Sequence, residues 1–307
     1  MSIKRKFVDF FSLKKVLNNI EQENTKNRKL SEKEISELQT VLLEIYADIF
    51  HACEKNDIKP ILQGGTLLGY KRHKGFIPWD DDLDLGMLRK DYEKFKKIFD
   101  TELSENYILK GSGCREGATN RFMQVFKKNT VFSTVDMAED TPHMISIDIF
   151  PIDYVPNRKW QQVIKGVYCN ILMIFTSCVE FKKHINNTLK NHMLRTTQGK
   201  INLKIRMFLG RCLSFKSLDS WYQKVDKSIQ TRKKTKFVTS ATGRKHYLGE
   251  IIAADSMVPL KKTKFCGLDA WIPAKPDDYL RNLYGDTYME IPPESKRESH
   301  FILELKY

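Results

Sequence analysis

Gly64-Gly65-Thr66-Leu67-Leu68-Gly69, followed by Trp79-Asp80-Asp81-Asp82-Leu83-Asp84-Leu85, is the stretch on which the reading of this chain turns. Ile58 to Leu62, just ahead of it, is short, branched and apolar, as a buried strand is. Thr66 to Tyr70 suits the first turns of a helix. Glycines at such a strand-to-helix turn let phosphate oxygens approach backbone N–H groups, and the helix start adds partial positive charge. Gly64, Gly65 and Thr66 are therefore candidate ligand-binding residues. The turn is neither the dinucleotide pattern GxGxxG nor the phosphate loop GxxxxGK[ST]. The acidic run behind it is what singles it out.

If residues 80 to 84 are extended, Asp80, Asp82 and Asp84 point to one side, Asp81 and Leu83 to the other. Three like charges on one side need a cation, hydrogen bonds or full solvation. Ile77, Trp79, Leu83 and Leu85 argue against full solvation. Mg2+ or Mn2+ matches, because both take carboxylate oxygens together with substrate phosphates. A later apolar segment, Met144-Ile145-Ser146-Ile147-Asp148-Ile149-Phe150, reaches the same ion if it forms a strand beside residues 83 to 87. Asp82, Asp84, Asp148 and Asp80 are thus the candidate catalytic and metal-holding residues, with Asp148 or Asp80 as base and Asp148 preferred. Asp81 and Asp153 are read as capping or turn-forming. A calcium loop would need a spaced twelve-residue pattern that the run lacks.

Arg72, between turn and acids, is a candidate phosphate clamp, because its fork of donors matches phosphate oxygens. Arg121 is a second phosphate candidate, and Lys71, His73 and Lys74 are read as background charge. Trp79 is read as a core residue fixing the acidic loop in preference to a base-stacking one. His143, five residues before Asp148, is either an acid or ligand or a plain strand histidine. Aromatic faces for a cationic head group are available at Tyr70, Trp79, Tyr154, Trp271, Tyr284 and Tyr288, with nothing in the linear sequence to assemble them.

With 307 residues the chain can bury one large core, or a main domain with a helical addition. Its net charge of +14 suits nucleic acid, anionic lipid or phosphorylated substrates without choosing among them. No zinc-finger or RNA-recognition signature accompanies it, so no nucleic-acid partner is expected. The six cysteines include no CxxC pair, which points to reduced thiols and no structural zinc. The start, Met1-Ser2-Ile3-Lys4-Arg5-Lys6-Phe7, lacks a signal peptide's apolar run, and a cytoplasmic protein is expected.

Four regions are expected: a basic arm over 1–30, a mixed α/β catalytic core over 31–157, a helical insertion over 158–235, and a C-terminal part, 236–307, completing the core. Ser31 and Glu34 form a capping box ahead of Ile35, Leu38, Leu42, Ile45 and Ile49 at helical spacing. Tyr92, Phe95, Phe99 and Leu103 mark a second helix. Tyr107 to Leu109, Phe122 to Phe126 and Met144 to Phe150 read as strands. Val163 to Val179 is apolar but interrupted. Ile201 to Phe215 alternates basic and bulky apolar residues, as an interfacial helix or a core helix with a basic back does. On the interfacial reading, changing Arg206 and Arg211 together to glutamate should reduce liposome association. Strand-like pieces return at Phe237 to Thr239 and Met257 to Trp271, and Pro276-Asp277-Asp278 starts a last helix that Gly285 ends.

The stretch from Gly64 to Asp84 closely resembles the signature of the LicD family, bacterial phosphocholine transferases related to the fukutin and fukutin-related proteins of animals. Ile147-Asp148-Ile149-Phe150-Pro151-Ile152-Asp153 is similar to that family's second block. Tyr284-Gly285-Asp286, Pro292-Pro293 and His300 look like its C-terminal block. The resemblance implies a nucleotidyltransferase-like fold, a mixed β-sheet flanked by helices. In it the glycine turn holds nucleotide phosphates, Asp82 and Asp84 bind metal, Asp148 is the third carboxylate and Asp80 an additional one, with His300 closing the pocket. The implied reaction moves a phospho-alcohol unit, commonly phosphocholine, from a CDP-alcohol such as CDP-choline to a hydroxyl of a cell-surface glycan or its lipid-linked precursor, releasing CMP. Lipopolysaccharide, teichoic acid precursor and capsule repeat stay open as acceptors. A lipid-linked acceptor would bring peripheral contact with an anionic membrane. The alternative is a nucleotidyltransferase that uses the same acids and releases pyrophosphate.

Overall fold

The computed structural model describes residues 28–134, 137, 141–185, 190–191, 193–294, 297 and 302–307. Helix α1, Glu32–Lys55, starts where the capping box predicts: the Ser31 hydroxyl accepts from the Glu34 N–H, and the Glu34 carboxylate accepts from the Ser31 N–H at 3.0 Å. Its apolar face, including Leu42, Ile45, Tyr46 and Ile49, is fully buried.

Beyond α1 come β1 (Ile61–Leu62), α2 (Gly64–His73), β2 (Asp84–Leu88), α3 (Arg89–Glu102), β3 (Tyr107–Lys110), β4 (Met123–Lys127), β5 (Val131–Thr134) and β6 (Ser146–Val155). Three long helices follow, α4 (Lys159–His184), α5 (Thr197–Leu213) and α6 (Leu218–Ile229). The chain then returns through β7 (Phe237–Thr239), α7 (His246–Gly249), β8 (Ile252–Ala253), α8 (Ala254–Met257), β9 (Lys261–Phe265), β10 (Leu268–Ile272), α9 (Pro276–Tyr284) and β11 (Ile302–Lys306). Gly285, at φ +90°, ends α9 as expected.

Among the described residues the main sheet is mixed and runs in the order β3-β4-β6-β2-β1-β10-β9, with β7 on the later half of β6 and β8 beside β7. The pairs β2–β6 and β1–β10 are parallel; the others are antiparallel. Alternation along β6 sinks Ile147 and Ile149 into the core and leaves Asp148 and Phe150 on the opposite, partly open face. A separate apolar cluster, with Cys169, Leu172, Met173, Trp221, Val225 and Ile229, holds α4 and α6 together. Arg89 joins this helical unit to the sheet: it meets Asp153 of β6 at 2.6 Å and Asp226 of α6 at 2.8 Å. Asp153 is thus structural, as expected, but through an ion pair and not a cap.

Three expectations need correction. Residues 80–83 are not a strand: Asp80 N–H turns back to Ile77 O, and β2 starts only at Asp84. The turn at Pro78 and Trp79 delivers the chain to the sheet only at the end of the run, where Leu83 O accepts from the Asp148 N–H. Met257 to Trp271 is no single strand, because Cys266 and Gly267 take positive φ and fold it into the β9–β10 hairpin. Arg206 is not on a basic membrane face. It is 2% exposed, donates to Asn202 Oδ1 and Ser177 Oγ, and lies 5.1 Å from the Phe181 ring. Reversing its charge would break the α4–α5 packing itself. The six cysteines are free.

Candidate active site

The segment around Asp148 does form a strand beside β2: the parallel ladder sets Asp84 of β2 directly opposite Asp148 of β6, and β4 sets Gln124 opposite Asp148 from the other side. Gln124 Nε2 donates to Asp148 Oδ1 at 3.0 Å. Thr66 is fully buried, and its hydroxyl accepts the Asp84 N–H at 2.8 Å. Thr66 therefore fixes where β2 begins and does not face the cavity.

The glycine turn opens α2 directly against the acids. Gly64 has φ +54°, and a Cβ there would fall 2.3 Å from Asp84 Oδ2; at Gly65 it would fall 2.9 Å from Asp80 Oδ2. The Gly64 N–H donates to the Tyr279 hydroxyl at 3.2 Å, and the Gly65 N–H to the Asp84 carboxylate. Missing side chains here let the chain's own carboxylates sit against the positive end of a helix.

Burial first, then the charges of Asp82, Asp148 and Asp80, push the Asp84 carboxyl well above its ordinary value, against the Gly65 hydrogen bond. Oxygens of Asp80, Asp81 and Asp82 also lie within 4.8 Å of one another. A hard divalent cation fits this all-oxygen donor set and relieves its repulsion.

Two cavities border these residues. The larger, about 710 Å³, has Gly64, Gly65, Asp80, Asp82 and Asp84 on one wall. Arg72 and Trp79 form another wall, and Tyr279, Tyr284 and Tyr288 come from the C-terminal part. The smaller, about 340 Å³, is lined by Asp81, Asp82 and Asp148 together with Thr119, Asn120 and Gln124. Asp82 borders both. The expected sidedness of the acids holds only in part: Asp80, Asp82 and Asp84 share the larger cavity, but Asp82 also borders the smaller one with Asp81 and Leu83, and an Asp81 oxygen lies within 4.8 Å of those of Asp80 and Asp82.

Arg72 donates Nη1 to Tyr288 O at 3.2 Å and to Glu290 O at 2.9 Å, tying α2 to the C-terminal wall. Trp79 lies under Arg297, 4.1 Å from its ring centroid, with Arg72 at 6.0 Å. Arg121 lines neither cavity; its charge acts on His246 and Arg206. His143 is exposed and bonds Ser133 Oγ at 2.9 Å. Lys71 pairs with Asp277 at 3.0 Å. Of the aromatic candidates, Trp79, Tyr284 and Tyr288 line the larger cavity; Tyr70, Tyr154 and Trp271 do not. His300 lies outside the described residues.

Sequence reasoning missed Gln124, Tyr279, Arg244 and Glu250. The last three come from segments far along the chain, and the fold brings them to the larger cavity, Tyr279 directly onto the turn through the Gly64 N–H. Glu250 is 5% exposed, and burial pushes its carboxyl up to about 7 against the Lys245 N–H bond and the charges of Lys245 and Arg244. Below its ordinary value of 4.5 it is protonated whether the chain is folded or not. As pH rises towards 7, only the unfolded chain releases the proton freely, so stability falls. Above 7 the full cost, about 3 kcal/mol, is present. Glu250→Gln should match the parent protein at pH 4 and exceed it by about that amount at pH 8 in urea unfolding.

Comparison with known proteins adds relatives to this geometry. Over 283 residues, 88% of this chain and 97% of the relative, the sequence is 29% identical to the lipopolysaccharide cholinephosphotransferase LicD of Haemophilus influenzae. A shorter stretch of 69 residues, 22% of each chain, is 39% identical to an uncharacterized protein of Rickettsia typhi. The family model described as LicD/FKTN/FKRP, nucleotidyltransferase domain, matches residues 57–184, which contain the glycine turn, Asp80, Asp82, Asp84 and Asp148. Over residues 57–184, then, this chain is similar to the nucleotidyltransferase domain of the LicD family, and over most of its length to a LicD protein.

Proposed function

We propose that the protein is a transferase that moves a phospho-alcohol unit, phosphocholine foremost, from a CDP-alcohol to a hydroxyl of a cell-surface glycan or its lipid-linked precursor, releasing CMP. The observation that carries this reading is that Asp82 borders both cavities. The larger takes the donor, with Arg72 and Arg244 supplying positive charge for its phosphates and Trp79 and Tyr284 supplying aromatic faces. The smaller takes the acceptor, because Thr119, Asn120 and Gln124 offer the hydroxyl and amide groups that suit a sugar. The domain family and the name of the Haemophilus relative support phosphocholine and a glycan over other pairs.

Asp80, Asp82, Asp84 and Asp148 would hold Mg2+ or Mn2+, which when bound supplies positive charge against the diphosphate oxygens. The acceptor oxygen attacks the phosphorus bearing the alcohol, and the bond from that phosphorus to the oxygen of CMP breaks in line, its electron pair leaving with CMP. Asp148, steadied by Gln124, borders the acceptor cavity and takes the hydroxyl proton.

Incubation with CDP-choline, CDP-ribitol, CTP or ATP, with bacterial surface glycan as acceptor and with Mg2+, Mn2+ or EDTA, separates CMP from pyrophosphate as product. Ion-dependent CMP release from CDP-choline is expected. Pyrophosphate from CTP or ATP, with no CMP from either CDP-alcohol, overturns the reading in favour of nucleotide transfer.

A further inference from the structure

Charge is divided unevenly along this chain. Residues 158–235 carry 17 Lys and Arg against 3 Asp and Glu, while the rest balances at 35 against 35. The whole net charge of +14 therefore belongs to the helical excursion between β6 and β7. The same excursion holds ten of the fourteen large apolar side chains exposed among the described residues.

Those side chains form stripes. On α4, Trp160, Ile164, Val167, Tyr168 and Ile171 recur at helical spacing, with Trp160 58% and Ile164 62% exposed. On α5, Ile201, Ile205 and Phe208 do the same, Phe208 being 65% exposed, and Lys200, Lys204 and Arg211 are exposed along their flank. The opposite faces of both helices are committed to packing, α4 through Leu172, Met173 and Val179 and α5 through Leu203 and Arg206.

We infer that this apolar and basic face of α4 and α5 docks on an anionic lipid bilayer, lying in its interface. A nucleic acid would use the lysines and leave Ile164 and Phe208 in water; a bilayer uses both. The helix α4 is long and apolar enough to cross a membrane by length and composition, but 44% of its apolar window is buried against the protein's own residues. A surface position keeps that packing. Glu180, near the other end of α4, borders the smaller cavity, so the docked helix leads from the lipid towards it. Only this last point, that the bilayer presents the acceptor, rests on the proposed function.

The test is co-sedimentation of the full chain with phosphatidylcholine vesicles, with and without phosphatidylglycerol. Strong binding to the anionic vesicles, extractable by alkaline carbonate, is expected. Each cation near such a surface is worth about fivefold in partitioning, so Lys200→Gln, Lys204→Gln and Arg211→Gln together should weaken it about 100-fold. Ile164→Asp with Phe208→Asp, which keeps every cation, should weaken it at least about tenfold at an unchanged melting temperature. Resistance to carbonate, undiminished vesicle binding by the Asp variant, or tighter binding to a short RNA that the Asp variant retains would each overturn the inference. So would a dimer in sedimentation velocity that the Asp variant converts to monomer, since the occupant would then be a second copy of the chain.

Discussion

Changing Asp82 and Asp84 together to asparagine will remove turnover, by on the order of 10³-fold or more, and yet raise the melting temperature of the metal-free protein. Both effects have one cause. Asp84 is pushed above its ordinary value by burial and by Asp82, Asp148 and Asp80, so the ion-free cluster is held together against its own repulsion. Asparagine at two positions relieves that repulsion and also removes two anionic donors. Mg2+ or Mn2+ should stabilise the parent protein by about 2.7 kcal/mol at a hundredfold excess over its dissociation constant, and leave the double variant unmoved. Thermal melts with and without the ion check this without any substrate. A variant as active as the parent, or one that still gains stability from the ion, would remove these carboxylates from the chemistry.

Breaking the ion pair at Arg89 should cost about 3–5 kcal/mol in urea unfolding when Arg89→Met is compared with the parent. Asp153 is 1% exposed and Asp226 6%, so loss of the guanidinium leaves two buried carboxylates facing each other. Burial works against the charge on Arg89, but Asp153 and Asp226 together hold its pKa above the ordinary value. Adding Asp226→Asn to Arg89→Met should recover part of the loss, because one of the stranded charges is gone. No recovery would mean that the arginine acts through packing over the Tyr92 ring, 5.0 Å away.

What could be read in advance follows from what local sequence encodes. The capping box at Ser31 and Glu34, the apolar period of α1 and the proline start of α9 are signals within a few residues, and the elements formed there. The pairing of Asp84 with Asp148 was also legible, because each acid sits in a short apolar strand where few neighbours are available. The strand read over 83–87 formed one residue later, as β2, and the extended run imagined ahead of it, from residue 80, did not join the ladder. Arg206 defeated pattern reading for another reason: a basic residue on an apolar helix is ordinarily solvated, and only the partners Asn202 and Ser177 make its burial tolerable. The Tyr279, Arg244 and Glu250 wall depends on strand order, which periodicity does not contain. The β5–β11 pair went unread as well, joining segments some 170 residues apart in sequence.

The excursion leaves the sheet at Val155 and re-enters at Phe237, and these two residues are register partners on neighbouring strands. Topologically, therefore, just over eighty residues stand where a tight hairpin would serve. Chain inserted at such a point strains nothing beneath it, so its length and surface chemistry can diverge while the carboxylates stay put. On the proposed docking of this excursion on lipid, where the protein goes and what it does there become separable traits, joined at a single doorway and tied across it by Arg89 and by the Tyr222 hydroxyl on Thr119 O.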